Sequence, residues 1–256
     1  MGKVYLVGAG PGDPELLTLK AARILKSANV VLHDALVTEG ILAMVGSHAL
    51  VIDVGKRVGD RRISQPAILR LLVEFVTSAG TVVRLKGGDP LIFGRAAEEM
   101  VALRAAGVEF EIVPGITAAV AASAQARIPL TDRQSSSAVV FLTAQQASGK
   151  GAAQIEHFAS GGATLAIYMP GGHYGKIAGK LMAAGRSPHT PCLIVSNAFR
   201  PGQELQWTEV GELRRLSPPE TPALLIIGEV ARRPEAIAYL TPRLLNASWI
   251  GPEAVI

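Results

Sequence analysis

Short apolar runs rich in β-branched residues recur at positions 3–7 (KVYLV), 30–32, 49–54, 82–85 and 109–113, and each reads as a buried strand. Helical periodicity fills the spaces between them. Leu16, Leu17, Leu19, Ala22 and Leu25 form one stripe, with Thr18 as its N-cap. A short helix is expected at 41–45. Ile68, Leu71, Leu72 and Phe75 mark an amphipathic helix over 66–79. Another runs to about Ala106 with Gly107 as its C-cap, and a small-residue helix covers 118–126. Strand alternating with helix implies a mostly parallel sheet covered on both faces. The strands then end near Gly10, Asp34, Lys56 and Gly87 at one edge of that sheet, the edge where open α/β sheets bind ligands.

The polar, aperiodic stretch 129–137 interrupts this pattern, and a domain boundary is placed there, giving domains 1–128 and 129–256. Strands follow at 138–143, 164–168, 192–195, 204–210 and 223–227, with a helix at 177–184 stopped by Gly185. Fewer helices separate these strands, so the second sheet is expected to be mixed. The fold class is therefore α/β, with two α/β domains.

The loops carry the chemistry. The strand at 82–85 runs into Gly87-Gly88-Asp89-Pro90, where two glycines permit positive φ and close approach of a ligand. An ordinary strand-to-helix turn has the same composition. The first loop, GAGPGDP, misses the dinucleotide fingerprint: Asp13 stands where the third glycine belongs, and Pro11 removes an N–H that a pyrophosphate would need. Basic residues gather at Lys56, Arg57, Arg61 and Arg62, and Arg84, Lys86 and Arg95 surround the GGDP turn. Such a field suits a polyanionic small molecule, and a solvated loop suits it equally.

Net charge is +4, too mild for a dedicated nucleic-acid binder. Cys192 is the single cysteine; it excludes an intramolecular disulfide or Cys-rich metal site and reads as a packed structural thiol. No apolar run is long enough to span a membrane, and the first strand leaves no room for a signal peptide, so a cytoplasmic protein is expected.

In order along the chain stand GAGPGDP, HDALV (33–37), VGKR (54–57), RLKGGDP followed by FGR (84–95), PGITAA (114–119), IPLT (128–131), YM (168–169), GRSP (185–188), SNA (196–198) and PALLIIGEV (222–230). Together they resemble the tetrapyrrole methylase family. The resemblance implies a homodimer that binds S-adenosylmethionine in a cleft between two α/β domains. It also implies methyl transfer to C2 and C7 of uroporphyrinogen III, giving precorrin-2 for sirohaem or cobalamin. The family's cofactor-contacting positions match Pro11, Gly87, Gly88, Asp89, Ile92, Thr117, Ala118, Met169 and Ala198, with Pro222 and Ala223 as further candidates. Its proton acceptor maps to Asp34 and its proton donor to Lys56. Arg57, Arg61, Arg62 and Arg95 are the natural forks for the substrate's carboxylates. No metal, nucleic acid or membrane is implied.

The chain departs from the family pattern at Arg62-Ile63-Ser64, Thr131-Asp132-Arg133, Thr143-Ala144-Gln145 and in FGRAAEE, where the family usually carries histidines or a second pair of glycines. Most of these fall where the acceptor should lie. The competing readings are a methylase of a later precorrin, a relative methylating RNA or a protein residue, and a non-catalytic tetrapyrrole-binding module.

Overall fold

The computed structural model describes residues 2–55, 63–144, 155–218 and 222–233; Lys56, Arg57, Arg61 and Arg62 lie outside the described residues. Two compact units are present, Met1–Gln125 with Asn197–Gln203, and Ala126–Ser196 with Glu204–Ile256.

The first unit holds a five-stranded sheet of β1 (Lys3–Gly8), β2 (Val30–His33), β3 (Leu50–Asp53), β4 (Thr81–Lys86) and β5 (Phe110–Val113). Its order is β3-β2-β4-β1-β5 and every pairing is parallel, as the alternation predicts. Helices α1 (Leu19–Ser27), α2 (Glu39–Leu42), α3 (Gln65–Ala79), α4 (Ala96–Ala105) and α5 (Ala118–Ala126) complete it. Alternate strand residues separate the two faces. Val7, Val31, Val83 and Leu85 pack with Ala21, Ile24 and Leu25 of α1. Val4, Leu6, Leu32 and Val82 pack with Ile68, Leu72 and Val76 of α3 and Leu103 of α4. Arg84 and Lys86 continue the alternation begun by Val82, so both point to the α3/α4 face.

The apolar stripe expected on α1 is out of phase with the structure. Pro14 begins a 3₁₀ turn over Pro14–Leu16, and Leu17 and Thr18 are extended before α1 starts. Leu16 and Leu17 therefore lie outside the helix. Leu19 is 92% exposed, and of the expected stripe Leu25 is the member the helix fully buries, with Ala21 and Ile24 beside it. Thr18 does cap it, accepting from Ala21 N at 3.2 Å.

The second unit is a mixed sheet of β6 (Val139–Thr143), β7 (Thr164–Tyr168), β8 (Pro191–Ser196), β9 (Glu204–Glu209) and β10 (Ala223–Ile227), in the order β6-β7-β10-β8-β9. Only β6 and β7 pair in parallel. Helix α6 (Tyr174–Ala183) packs Ile177 and Leu181 into the core around Leu165, Ile167, Ile194 and Leu225. Cys192 is fully buried in that core, and desolvation pushes its thiol well above the usual range, which keeps it a packing residue.

Candidate active site

Three glycine loops meet at the carboxyl edge of the first sheet. After β1 and β4, Gly88 N donates to Gly10 O at 2.8 Å and Gly10 N to Gly88 O at 3.1 Å, stitching the two loops together. Both glycines have positive φ, 66° and 67°. The loop after β5 joins them without side chains in between. A Cβ on Gly8 would lie 2.6 Å from Gly115 Cα and 2.7 Å from Gly88 O. The structure thus brings Pro11, Gly87, Gly88, Asp89, Thr117 and Ala118 together on one edge. Beside them is room: a Cβ on Gly88 would only reach Thr117 Cα at 3.8 Å and Ala118 N at 3.9 Å.

Asp89 is first a staple in this junction. Its Oδ1 accepts from Leu91 N at 2.8 Å and its Oδ2 from Gly115 N at 3.0 Å. Each oxygen keeps a further lone pair. Ile92 follows, half-buried, and the turn closes through Phe93 and Arg95, both in the left-handed region at φ 53° and 58°. Non-glycine residues hold that conformation at a cost, and such positions gather at functional loops. Met169 (φ 53°), Asn197 (φ 50°) and Phe199 (φ 56°) share it.

In the second unit, Leu224 pairs with Tyr168 and Ala223 with Ser196. Met169, Pro222 and Ala223 therefore stand at one edge of the second sheet. Ala198 lies between the strained Asn197 and Phe199, in the stretch assigned to the first unit.

Asp34 follows β2, its N–H bonded to Leu85 O at 3.1 Å. Its carboxylate is paired with Arg84. The expectation that Arg84 and Lys86 add to a surface field is not met. Both are buried on the α3/α4 face and bonded there to one carboxylate oxygen: Glu99 Oε1 accepts from Arg84 Nε at 3.1 Å, Lys86 Nζ at 3.0 Å and Gln65 Nε2 at 3.4 Å. Desolvation, then the neighbouring Arg84 charge, lowers the Lys86 ammonium from its ordinary value. Of the three cations around the GGDP turn only Arg95 is exposed, and it too is engaged. Its Nε and Nη2 donate to Glu98 Oε1 and Oε2 at 2.8 and 2.7 Å. The exposed pair is worth about 0–1 kcal/mol, so a carboxylate ligand can displace it cheaply.

Gly55, the residue before Lys56, closes against the Asp34 turn; a Cβ there would lie 2.5 Å from Ala35 Cα. Sequence reasoning passed over Gln65, Glu99 and Arg200. Arg200 Nε donates to Pro11 O at 2.9 Å and its Nη2 to Leu36 O, tying the first loop to the turn after Asp34. Desolvation lowers its guanidinium from the ordinary arginine value. One departure from the family pattern has a local explanation. Asp132 Oδ1 accepts from Gln134 N, Ser135 N and Ser135 Oγ at 2.9–3.0 Å, closing its own turn.

A parallel sheet whose carboxyl edge is built from interlocked glycine loops, beside a paired carboxylate, has the form of the edge at which open α/β sheets bind ligands. The family model of the tetrapyrrole (corrin/porphyrin) methylases matches residues 3–214, and the chain belongs to that family. It is 44% identical over 239 residues to the uroporphyrinogen-III C-methyltransferase of Synechocystis sp., covering 91% of each chain. It is 41% identical over 249 residues to the siroheme synthase of Psychrobacter sp., covering 96% of this chain and 51% of that protein. The chain spans about half the length of the siroheme synthases it matches. Among solved structures it is similar to the uroporphyrin-III C-methyl transferase from Thermus thermophilus complexed with S-adenyl homocysteine. The TM-score is 0.79 at 40% identity, over 90% of this chain and 94% of that one.

Proposed function

We propose that this chain is a C-methyltransferase that moves methyl groups from S-adenosylmethionine to C2 and C7 of uroporphyrinogen III, yielding precorrin-2 and S-adenosylhomocysteine. The observation that carries the reading is the glycine junction of the first sheet, found in a chain alike over nearly its whole length to a protein named for that reaction.

The residues fit the cofactor. The space in front of Gly88, bounded by Thr117 and Ala118, is one that any side chain at position 88 would fill. The atoms nearest that space are backbone, Thr117 Cα and Ala118 N, which suits a ligand carrying an adenosine but no phosphate. Gly87, Gly88, Asp89, Thr117 and Ala118 would hold it, with Pro11, Ile92, Met169, Ala198, Pro222 and Ala223 as further contacts. Bound S-adenosylmethionine supplies an electrophilic methyl group on a sulfonium. Asp34 receives the proton that the ring carbon loses once its new carbon–carbon bond has formed, and Arg84 holds that carboxylate in place beforehand. Lys56, next to the Gly55 that packs on Ala35, is the proposed proton donor. Arg57, Arg61, Arg62 and Arg95 bind the acceptor's carboxylates. The working form is a homodimer in the cytoplasm; a stable monomer in sedimentation at micromolar concentration would overturn the dimer.

Incubation with labelled S-adenosylmethionine and enzymatically generated uroporphyrinogen III tests the reading, with the product identified by mass. The expected product carries two added methyl groups; transfer only to a later precorrin would reassign the acceptor, and no transfer to any tetrapyrrole would defeat the proposal.

Arg95 separates acceptor binding from cofactor binding. Arg95→Ala is expected to leave S-adenosylhomocysteine affinity unchanged in calorimetry and to lower acceptor kcat/KM by roughly 2–4 kcal/mol of transition-state stabilisation. Arg95→Lys should rescue only in part, because an ammonium lacks the planar fork. Unchanged acceptor kinetics in Arg95→Ala would remove Arg95 from the substrate site.

A further inference from the structure

Two cations and an anion buried together beneath a proposed catalytic carboxylate need an explanation that packing does not supply. Arg84, Lys86 and Glu99 are each 3% exposed or less. An apolar set of similar volume on this face would be about as stable, because desolvating charges consumes most of their attraction. The arrangement is also directional. Arg84 is pinned by Glu99 at Nε, and its Nη1 donates to Leu32 O at 3.4 Å and Leu85 O at 3.2 Å. Its Nη2 is left for Asp34, the one member of the set that reaches solvent, 32% exposed. Glu99 is used unevenly: Oε1 takes three donors, and Oε2 is buried with no partner among the described residues. A carboxylate placed for solvation would share those donors between both oxygens. This one is placed to hold Arg84 and Lys86 at the same point.

We infer that Glu99 is a positioning residue for Asp34: acting through Arg84, it fixes where the Asp34 carboxylate is held and how much positive charge faces it. The inference rests on the reading of Asp34 as proton acceptor. Lys86 is the counterweight, since it competes with Arg84 for the same Glu99 oxygen. Among the described residues, Arg84 from β4 touches the Asp34 carboxylate; behind it stand Glu99 from α4, with Lys86 from β4 and the neutral Gln65 from α3 on the same Glu99 oxygen, and His33 Nδ1 from β2 lies 3.1 Å from the Asp34 backbone O. Asp53 and Gly55 come from the end of β3, with Lys56 next in the chain.

The signs of two substitutions follow, neither of which alters a group touching Asp34. Glu99→Gln removes the negative charge and leaves Arg84 and Lys86 facing Asp34, so the Asp34 carboxyl should ionise at lower pH. Lys86→Met removes one positive charge and leaves Glu99 wholly to Arg84, so Asp34 should ionise at higher pH. A shift of about one pH unit in each direction is the expected size for a charge acting through one intervening group. Aspartate labelled with carbon-13 at the carboxyl, assigned through Asp34→Asn, gives the titration directly by NMR whether or not the protein turns over. The acid limb of methyl transfer should move with it. In the Asp34→Asn background, Glu99→Gln should have little further effect on kcat, whereas a purely structural role would lower both backgrounds equally. Opposite shifts without methyl transfer in the unsubstituted protein would sustain the positioning role and defeat the reaction. Methyl transfer with an unmoved Asp34 titration would defeat the positioning role alone. If Glu99→Gln does not fold, Lys86→Met decides by itself: an upward shift supports the inference and no shift, or a downward one, overturns it.

Discussion

Gly115→Ala is expected to unfold the ligand edge of the first sheet and abolish cofactor binding. A methyl at this position would lie 2.8 Å from Gly8 Cα and inside the Gly88 carbonyl oxygen. These are backbone atoms, so no rotamer change relieves the clash. Relief requires the loops after β1 and β4 to separate, which strains the Gly10–Gly88 exchange and the bond from Gly115 N to Asp89. Overpacking costs roughly 1–3 kcal/mol and each weakened buried hydrogen bond about 1 kcal/mol more. A loss of about 3–5 kcal/mol corresponds to a fall in Tm of roughly 8–15 °C for a chain of this size. S-adenosylhomocysteine affinity should weaken at least about 100-fold. Gly179→Ala is the matched control. Gly179 is exposed in α6, a Cβ there meets nothing within 4 Å, and the substitution should gain roughly 0.5–1 kcal/mol from helix propensity. Thermal melts and calorimetry on both variants check this. A Gly115→Ala protein with unchanged Tm and affinity would mean that the junction has slack and is not the cofactor's seat.

The parts of this fold that were legible are those governed by short-range periodicity. β7 and β10 coincide with their apolar runs because Gly, Pro and polar residues bound them on both sides. Phase was harder. The Pro14 turn resets the helical register before α1, so the stripe drawn through Leu16 and Leu19 joins residues that never share a face. The glycine junction shows as three separate glycine-containing loops in the sequence. Only the strand order, which puts β1 between β4 and β5, makes them neighbours. The charged set was partly legible and was missed. Arg84 and Lys86 are two apart on a strand reading as buried, so they share a face, and two cations on a buried face require an acid opposite. Glu98 and Glu99 look alike in sequence, as first-turn acids complementing the helix dipole. The left-handed Arg95 sets where α4 begins, and with it which of the two turns inward: Glu98 pairs with Arg95 at the surface, while Glu99 is buried.

That inward acid also supports the fold, and Glu99→Met should show by how much. The charges at the set are two positive, Arg84 and Lys86, and two negative, Glu99 and Asp34. Removing Glu99 leaves an excess cation in the interior, which costs roughly 3–5 kcal/mol. Glu99→Met with Lys86→Met restores the balance as an Arg84–Asp34 pair beside apolar side chains, and should recover about 2 kcal/mol or more, within the range of measured couplings. The pH dependence carries a definite sign. The Lys86 ammonium is already lowered in the folded protein, by desolvation first and then by Arg84, and Glu99 is among the groups that oppose this. Without Glu99 the folded value falls further below the unfolded one. Between those two values the unfolded chain binds more protons, so stability must rise with pH across that window and level off near the ordinary lysine value. Glu99→Met should therefore be least stable at neutral pH and regain stability on the alkaline side. The double variant, which lacks Lys86, should show no such gain relative to the unsubstituted protein. Denaturant unfolding of the three proteins at pH 7 and pH 9 measures both terms, and the comparison between variants cancels the other lysines and the tyrosines. A Glu99→Met protein as stable as the parent at pH 7, or a double variant no more stable than the single one, would mean that Glu99 does not balance Lys86.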